Sequence, residues 1–250
     1  MKTLTHNLSL AVLLTGSVLM NTACSKSENE QAEAEQKTAD IADAQDPDAI
    51  KAAIQEKQAQ NAPVGDPAIP LEQYEQLDGG NQLLATLISM KAVPLDYEEF
   101  AAKINQKYRS ESDVFKKKDM MEILKPQIDQ YVQQATTKRY VYTDHNPNLS
   151  NFDFDSMSYT MNGLPGKGSE FYFYDNSDVK ISYSNADVFE KLKLSEEQAR
   201  TIESLRAKYT RMNLRVYMYM NDHKLGEPVV KAQIMRAVLQ GPKGETLATL

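Results

Sequence analysis

The chain has 250 residues, with 28 Lys and Arg against 35 Asp and Glu and a formal net charge of −7. That balance excludes nucleic acid as a partner, because binding it needs a basic surface that displaces counterions. One cysteine excludes an internal disulfide, a Cys-x-x-Cys pair and a Cys-rich zinc site, and the three histidines are scattered. No metal, cofactor or catalytic residue is expected.

Charge and aromatics divide the chain. Residues 25–70 carry 10 acidic and 4 basic side chains, and all 20 aromatics lie from Tyr74 onward. At the N-terminus, Lys2 precedes an apolar run from Leu8 to Met20. A membrane span needs about 20 such residues, so this run is too short to cross. Its length and flanks are those of an export signal.

The run leads into Leu19-Met20-Asn21-Thr22-Ala23-Cys24-Ser25. This segment resembles the lipobox of bacterial lipoproteins, with Thr22 and Ala23 as the small residues before the cysteine; Asn21 departs from the aliphatic residue usual there. The resemblance implies a signal peptide over 1–23 and a diacylglyceryl thioether on Cys24, with the new α-amine acylated as well. It implies a membrane partner through that lipid and a position facing the periplasm. Ser25, standing where an Asp signals inner-membrane retention, points to the outer membrane.

Residues 24–70 read as an acidic flexible tether. Residues 25–46 contain one large aliphatic side chain, Ile41, too little to offset the entropy of ordering a chain. Asp46-Pro47-Asp48 predicts a helix start, with Asp46 as N-cap and Pro47 in the first turn. Its apolar face is only Ile50, Ala53 and Ile54, so a solvated helix is expected. Pro63, Pro67 and Pro70 then stiffen the approach to a single domain over 71–250.

From Leu71 to Thr136 the apolar spacing is helical. Leu83, Leu84, Leu87 and Ile88 form one stripe. Tyr97, Phe100, Ala101, Ile104 and Tyr108 form a second. Met120, Ile123, Leu124, Ile128, Tyr131, Val132 and Ala135 form a third, with Asp113 as its N-cap and Pro126 either kinking it or beginning a new helix. After Lys138 the period becomes two. Strands are expected at 140–142, 170–174, 179–183, 214–220, 229–239 and 245–250, and Ser195-Glu-Glu-Gln198 is a capping box for one inserted helix. Sequential hairpins predict an α+β fold: an N-terminal helical layer (71–136) packed with a C-terminal antiparallel sheet (137–250). GGNQLLATLISM, SDVFKKKDMMEILKPQIDQY, TKRYVY and VVKAQIMRAVLQGPKGETL resemble an uncharacterised family of Gram-negative envelope proteins. That resemblance implies export and supplies no functional residue.

Several segments invite chemistry. His145, beside Asp144 in Thr-Asp-His-Asn-Pro, reads as a turn. Asp153 and Asp155 would share one strand face about 7 Å apart, a spacing compatible with glycoside hydrolysis, although alternation of this kind usually means Phe inside and Asp outside. Asp175-Asn-Ser-Asp178 lacks the spacing of a calcium loop and reads as a hairpin turn. Leu164-Pro-Gly-Lys-Gly168 reads as a plain loop. Lys116-Lys-Lys118, with Lys107 and Arg109, is the most basic stretch. It could meet anionic lipid or lipopolysaccharide, although a solvated helix face is the simpler reading. On strand 214–220, Leu214, Val216, Met218 and Met220 face a core, leaving Arg215, Tyr217 and Tyr219 as a candidate binding surface. The expected function is a lipid-anchored binding or scaffolding module with an envelope protein or glycan partner. The competing expectation is an envelope hydrolase with a site assembled from residues distant in sequence.

Overall fold

The computed structural model describes residues 46–162 and 170–250, apart from the side chains of residues 55, 58 and 59. The apolar run 8–20, Cys24, the acidic stretch to residue 45 and the 164–168 loop lie outside the described residues. Contacts divide the chain into Met1–Ile50 and Lys51–Leu250.

Helix α1 (Pro47–Asn61) begins as expected, with the Asp48 N–H donating to Asp46 Oδ1 at 3.0 Å. Ile50 and Ile54 on it are exposed. In the second unit a 3₁₀ turn (Leu71–Gln73) and strand β1 (Glu75–Gln76) precede four helices, α2 (Gly80–Ser89), α3 (Tyr97–Ile104), α4 (Gln106–Ser110) and α5 (Val114–Thr137). Strands β2 (Tyr140–His145), β3 (Ser158–Thr160), β4 (Glu170–Phe173), β5 (Asn176–Tyr183) and β6 (Lys191–Lys193) follow. Helix α6 (Glu196–Ala207) then leads to β7 (Asn213–His223), β8 (Val229–Gln240) and β9 (Thr246–Thr249).

The fold is α+β, but its main sheet is mixed rather than antiparallel. Strand order is β1-β2-β7-β8-β5-β4, with β9 also paired to β8. β1 runs parallel to β2, and β5 parallel to β8; the other pairs are antiparallel. Parallel neighbours need a crossover. Helices α2–α5 supply the first, and the β6–α6–β7 segment the second. β3 and β6 form a separate two-stranded sheet.

The sheet is strongly coiled. Between β2 and β4 lie β7, β8 and β5, about 19 Å of flat sheet at the usual strand spacing. Yet the rings of His145 on β2 and Phe171 on β4 are 5.1 Å apart. Coiling of that degree lets one face enclose a core. Val141, Ile181, Leu214, Val216, Met218 and Val230 point into it. Leu83 and Leu87 of α2 and Ile202 of α6 join the same core. His145 is thus at the end of a strand, not in a turn. It shares a 2.8 Å hydrogen bond with Thr143, and burial lowers its pKa. Burial also pushes the nearby Tyr183 hydroxyl up to about 12.

The second predicted stripe does not make one helix. Asn105 closes α3 and caps α4 by accepting the Tyr108 N–H at 3.0 Å. The break turns Ile104 outward while Phe100, Ala101 and Tyr108 are buried against Leu124 and Ile128 of α5. Pro126 sits inside α5 without ending it. Asp113 caps α5, and the Ser195/Gln198 capping box starts α6.

Candidate functional site

Alternation on β2 and β7 sends one set of side chains to the core and the other to the opposite face of the sheet. The register pairs Tyr140 with Tyr219, Tyr142 with Tyr217 and Asp144 with Arg215. The predicted surface residues Arg215, Tyr217 and Tyr219 therefore do share one face, together with three partners the sequence reading left out. Tyr140 and Tyr219 have ring centroids 4.7 Å apart, and Tyr142 and Tyr217 5.7 Å. The Arg215 guanidinium lies 4.3 Å over the Tyr142 ring and grips Asp144 through two bonds of 2.8 Å. Asn213 adds a third bond to the same carboxylate. This pairing holds the Asp144 carboxyl below the usual carboxylate range and raises the Arg215 guanidinium above its ordinary value.

The face is not the open plane expected from the sequence. Tyr217 is only 8% exposed. Its cover is the segment running from Pro63 to Tyr74, expected to belong to a free tether as far as residue 70. Tyr74 stands edge-on to both Tyr140 (5.4 Å) and Tyr217 (5.2 Å), and Ile69 and Leu71 pack beside it. The Gly65 N–H donates to Gln233 Oε1 at 3.0 Å, and the Asp66 N–H donates to the Tyr140 hydroxyl at 2.8 Å. Gly65 passes so close to the sheet that a Cβ there would stand 2.9 Å from the Tyr219 Cβ. The packed part of the chain thus begins near Pro63, not Leu71. Pro67 lies in a turn closed by the Ile69 N–H donating to the Asp66 carbonyl at 3.3 Å, and aromatic packing holds the strap down. Tyr219 and Arg215 are left half-buried.

The other sequence candidates have structural employment. Phe152–Asp155 is not a strand: Asp153 accepts the Asp155 N–H and the Ser156 hydroxyl in a tight turn, which lowers its pKa, and Phe154 is exposed. The hairpin at 175–178 is tighter than predicted, since β5 already starts at Asn176. Asp175 caps α2 from 95 residues away, accepting the Gly80 N–H at 2.8 Å. Gly80 lies against the Asn176 backbone with no space for a Cβ.

That corner bounds a cleft of about 330 Å³ that no motif announced. Leu84, Ile88, Phe100 and Val179 give it an apolar floor, while Asp96, Glu99, Asp178 and Lys103 ring it. Lys103 is tied to Glu99 (3.3 Å), Asp178 (3.2 Å) and Asn176 (3.4 Å). The volume is at the small end of the range for ligand sites, and an apolar floor with few polar groups is their usual make-up. Its only sequence signal was the apolar breadth of α2, whose Leu83 and Leu87 serve one core while Leu84 and Ile88 turn to the cleft.

Among the described residues there is no group of three or more His, Cys, Asp or Glu placed to hold a metal ion. None of the described helices is long and apolar enough to cross a membrane. Compared with known proteins, the chain matches no family model, no curated protein and no solved structure.

Proposed function

We propose that this chain is a lipid-anchored, periplasm-facing envelope protein whose folded unit binds or scaffolds another envelope component. The cleft between α2, α3 and the start of β5 carries the binding part of the reading. It offers an apolar floor under three carboxylates and one ammonium, so it suits an apolar group flanked by positive charge. In this reading helices α2–α5 form a layer beside the sheet, and the cleft lies along their seam. The membrane part rests on Thr22-Ala23-Cys24 and the apolar run before it. The strap suits an anchored protein, because a chain leading from the lipid is clamped to the sheet before the globular part begins.

One pair of experiments tests both parts. A clickable fatty acid should label the wild-type chain, and Cys24→Ser should abolish the label; undiminished labelling removes the anchor. A photo-crosslinking residue at Leu84 should capture a specific envelope component in living cells, while the same residue at exposed Val64 should not. Identical adducts at both positions, or none at Leu84, would remove the cleft from consideration.

A further inference from the structure

The α4–α5 corner is locally cationic. Residues 107–125 carry six basic and four acidic side chains, in a chain whose net charge is −7. Among the described residues none of those six cations forms an ion pair, while about half of the Lys and Arg elsewhere do, Lys103, Lys138, Lys180, Arg215 and Lys224 among them. Two rest on aromatic rings instead: Lys117 lies 5.2 Å from the Tyr108 centroid and Lys125 4.8 Å from that of Tyr97.

Two of the four acids are engaged with backbone. Glu111 accepts the Ser112 and Asp113 N–H groups at 2.9 Å, and Asp113 caps α5 at Phe115 and Lys116. Asp119 and Glu122 face solvent on α5, and Glu98 of α3 and Glu122 line a groove with Lys117, Lys118 and Lys125. The first turn of α5 then sets Val114 (70% exposed) and Phe115 (77%) next to Lys116, Lys117 and Lys118. Nothing in the helix requires large apolar groups there, because Leu124, Ile128 and Ala135 supply its buried face.

From this arrangement we infer that the α4–α5 corner docks on an anionic lipid surface. Val114 and Phe115 enter the interfacial layer, while Lys116–Lys118, Lys107 and Arg109 meet the headgroup phosphates. An exposed apolar pair inside a cationic collar is the pattern of peripheral membrane contact, in which apolar burial and headgroup attraction add. The surface works whether or not Cys24 carries lipid. It rests on the anchored reading only for bringing the corner within reach of a bilayer.

The chain has no tryptophan, so Phe115→Trp places a single reporter at the corner. The full-length variant is mixed with vesicles of phosphatidylethanolamine and phosphatidylglycerol, and separately with vesicles of zwitterionic lipid alone. On the anionic vesicles its emission should shift to the blue and be quenched by nitroxide-labelled lipid. Salt near 1 M, where the Debye length is about 3 Å, should reverse the shift. Lys116→Gln, Lys117→Gln and Lys118→Gln together should abolish it with the far-UV spectrum unchanged. Pelleting with vesicles of either kind reports the anchor separately. An unshifted emission on anionic vesicles overturns the inference, whether or not the chain pellets. So does a shift equal on both lipids or retained by the triple variant, and so does a shift produced by soluble polyanions but by no vesicle.

Discussion

Replacing Tyr217 by alanine separates a covered tyrosine layer from an open one. On an open face the substitution removes exposed area and leaves the melting temperature almost unchanged. In the structure the ring is buried between Tyr74, edge-on at 5.2 Å, and Tyr142 at 5.7 Å. Removing a buried aromatic costs about 3–5 kcal/mol, and a site near the protein surface belongs at the lower end because strap and solvent can partly refill it. About 3 kcal/mol corresponds to a fall in Tm of roughly 6–12 °C for a domain of this size. Tyr219→Ala, at a half-buried position with one close ring neighbour, should cost about 1 kcal/mol.

The double substitution makes the test specific to the strap. Tyr74 is 143 residues from Tyr217 along the chain. Their coupling in a Tyr74→Ala/Tyr217→Ala cycle should be about 1 kcal/mol, as for other aromatic pairs in edge-to-face contact. Urea unfolding of the full chain, followed by near-ultraviolet circular dichroism, reads all four proteins. A Tyr217→Ala protein with wild-type stability and no coupling to Tyr74 would show that the strap does not lie on the sheet. The open binding face would then return.

Acid should weaken the fold partly through Asp144. Its folded pKa is depressed by Arg215, so its contribution is fully present above the unfolded value of about 3.9 and is lost as pH falls through the lower folded value. Asp144→Asn should therefore flatten the loss of stability below about pH 4, and an unchanged acid limb would contradict the pairing. Limited proteolysis of the protein should leave a resistant fragment that begins at or before Pro63, not near Pro70; N-terminal sequencing of the fragment decides. Gly65→Val should loosen the strap, exposing new cleavage sites between residues 63 and 74 while the remainder stays resistant.

What could be read from the sequence was local. Asp46, Asp113 and the Ser195/Gln198 box cap helices within three residues of themselves, and each does so in the structure. The strand pattern at 214–220 likewise carries its signal in neighbouring residues. Some errors lie where distant chain decides, and others where one polar side chain overrides the local apolar pattern. Asp175 caps a helix 95 residues upstream, a choice invisible beside its own hairpin. β1 is two residues long and parallel to β2, so no periodicity could reveal it. Phe-Asp-Phe-Asp at 152–155 alternates like a strand, but the Asp153 carboxylate takes the nearby N–H and hydroxyl donors and closes a turn instead. The apolar spacing runs straight through Asn105, while its side chain competes for the Tyr108 N–H and breaks the helix.

The strand that suggested a binding face also shows why the suggestion needed the rest of the chain. Period-two alternation of Leu, Val and Met with Arg and Tyr states that β7 has two chemically different faces; it does not state that one of them meets water. β7 lies between β2 and β8, and a strand with neighbours on both sides can be covered on both faces. Tyrosine suits the less dry of those faces, because its ring packs while its hydroxyl can reach a partner. The Tyr140 hydroxyl does so by accepting the Asp66 N–H, which turns a residue of the expected tether into part of the sheet's cover. Arg215 and Asp144 mark where that cover ends, since both keep some contact with solvent while holding each other. The amphipathic character read as a binding surface is thus the edge of an internal layer. Among the described residues, the cations and exposed Phe115 at the α4–α5 corner are one feature that internal packing leaves unexplained.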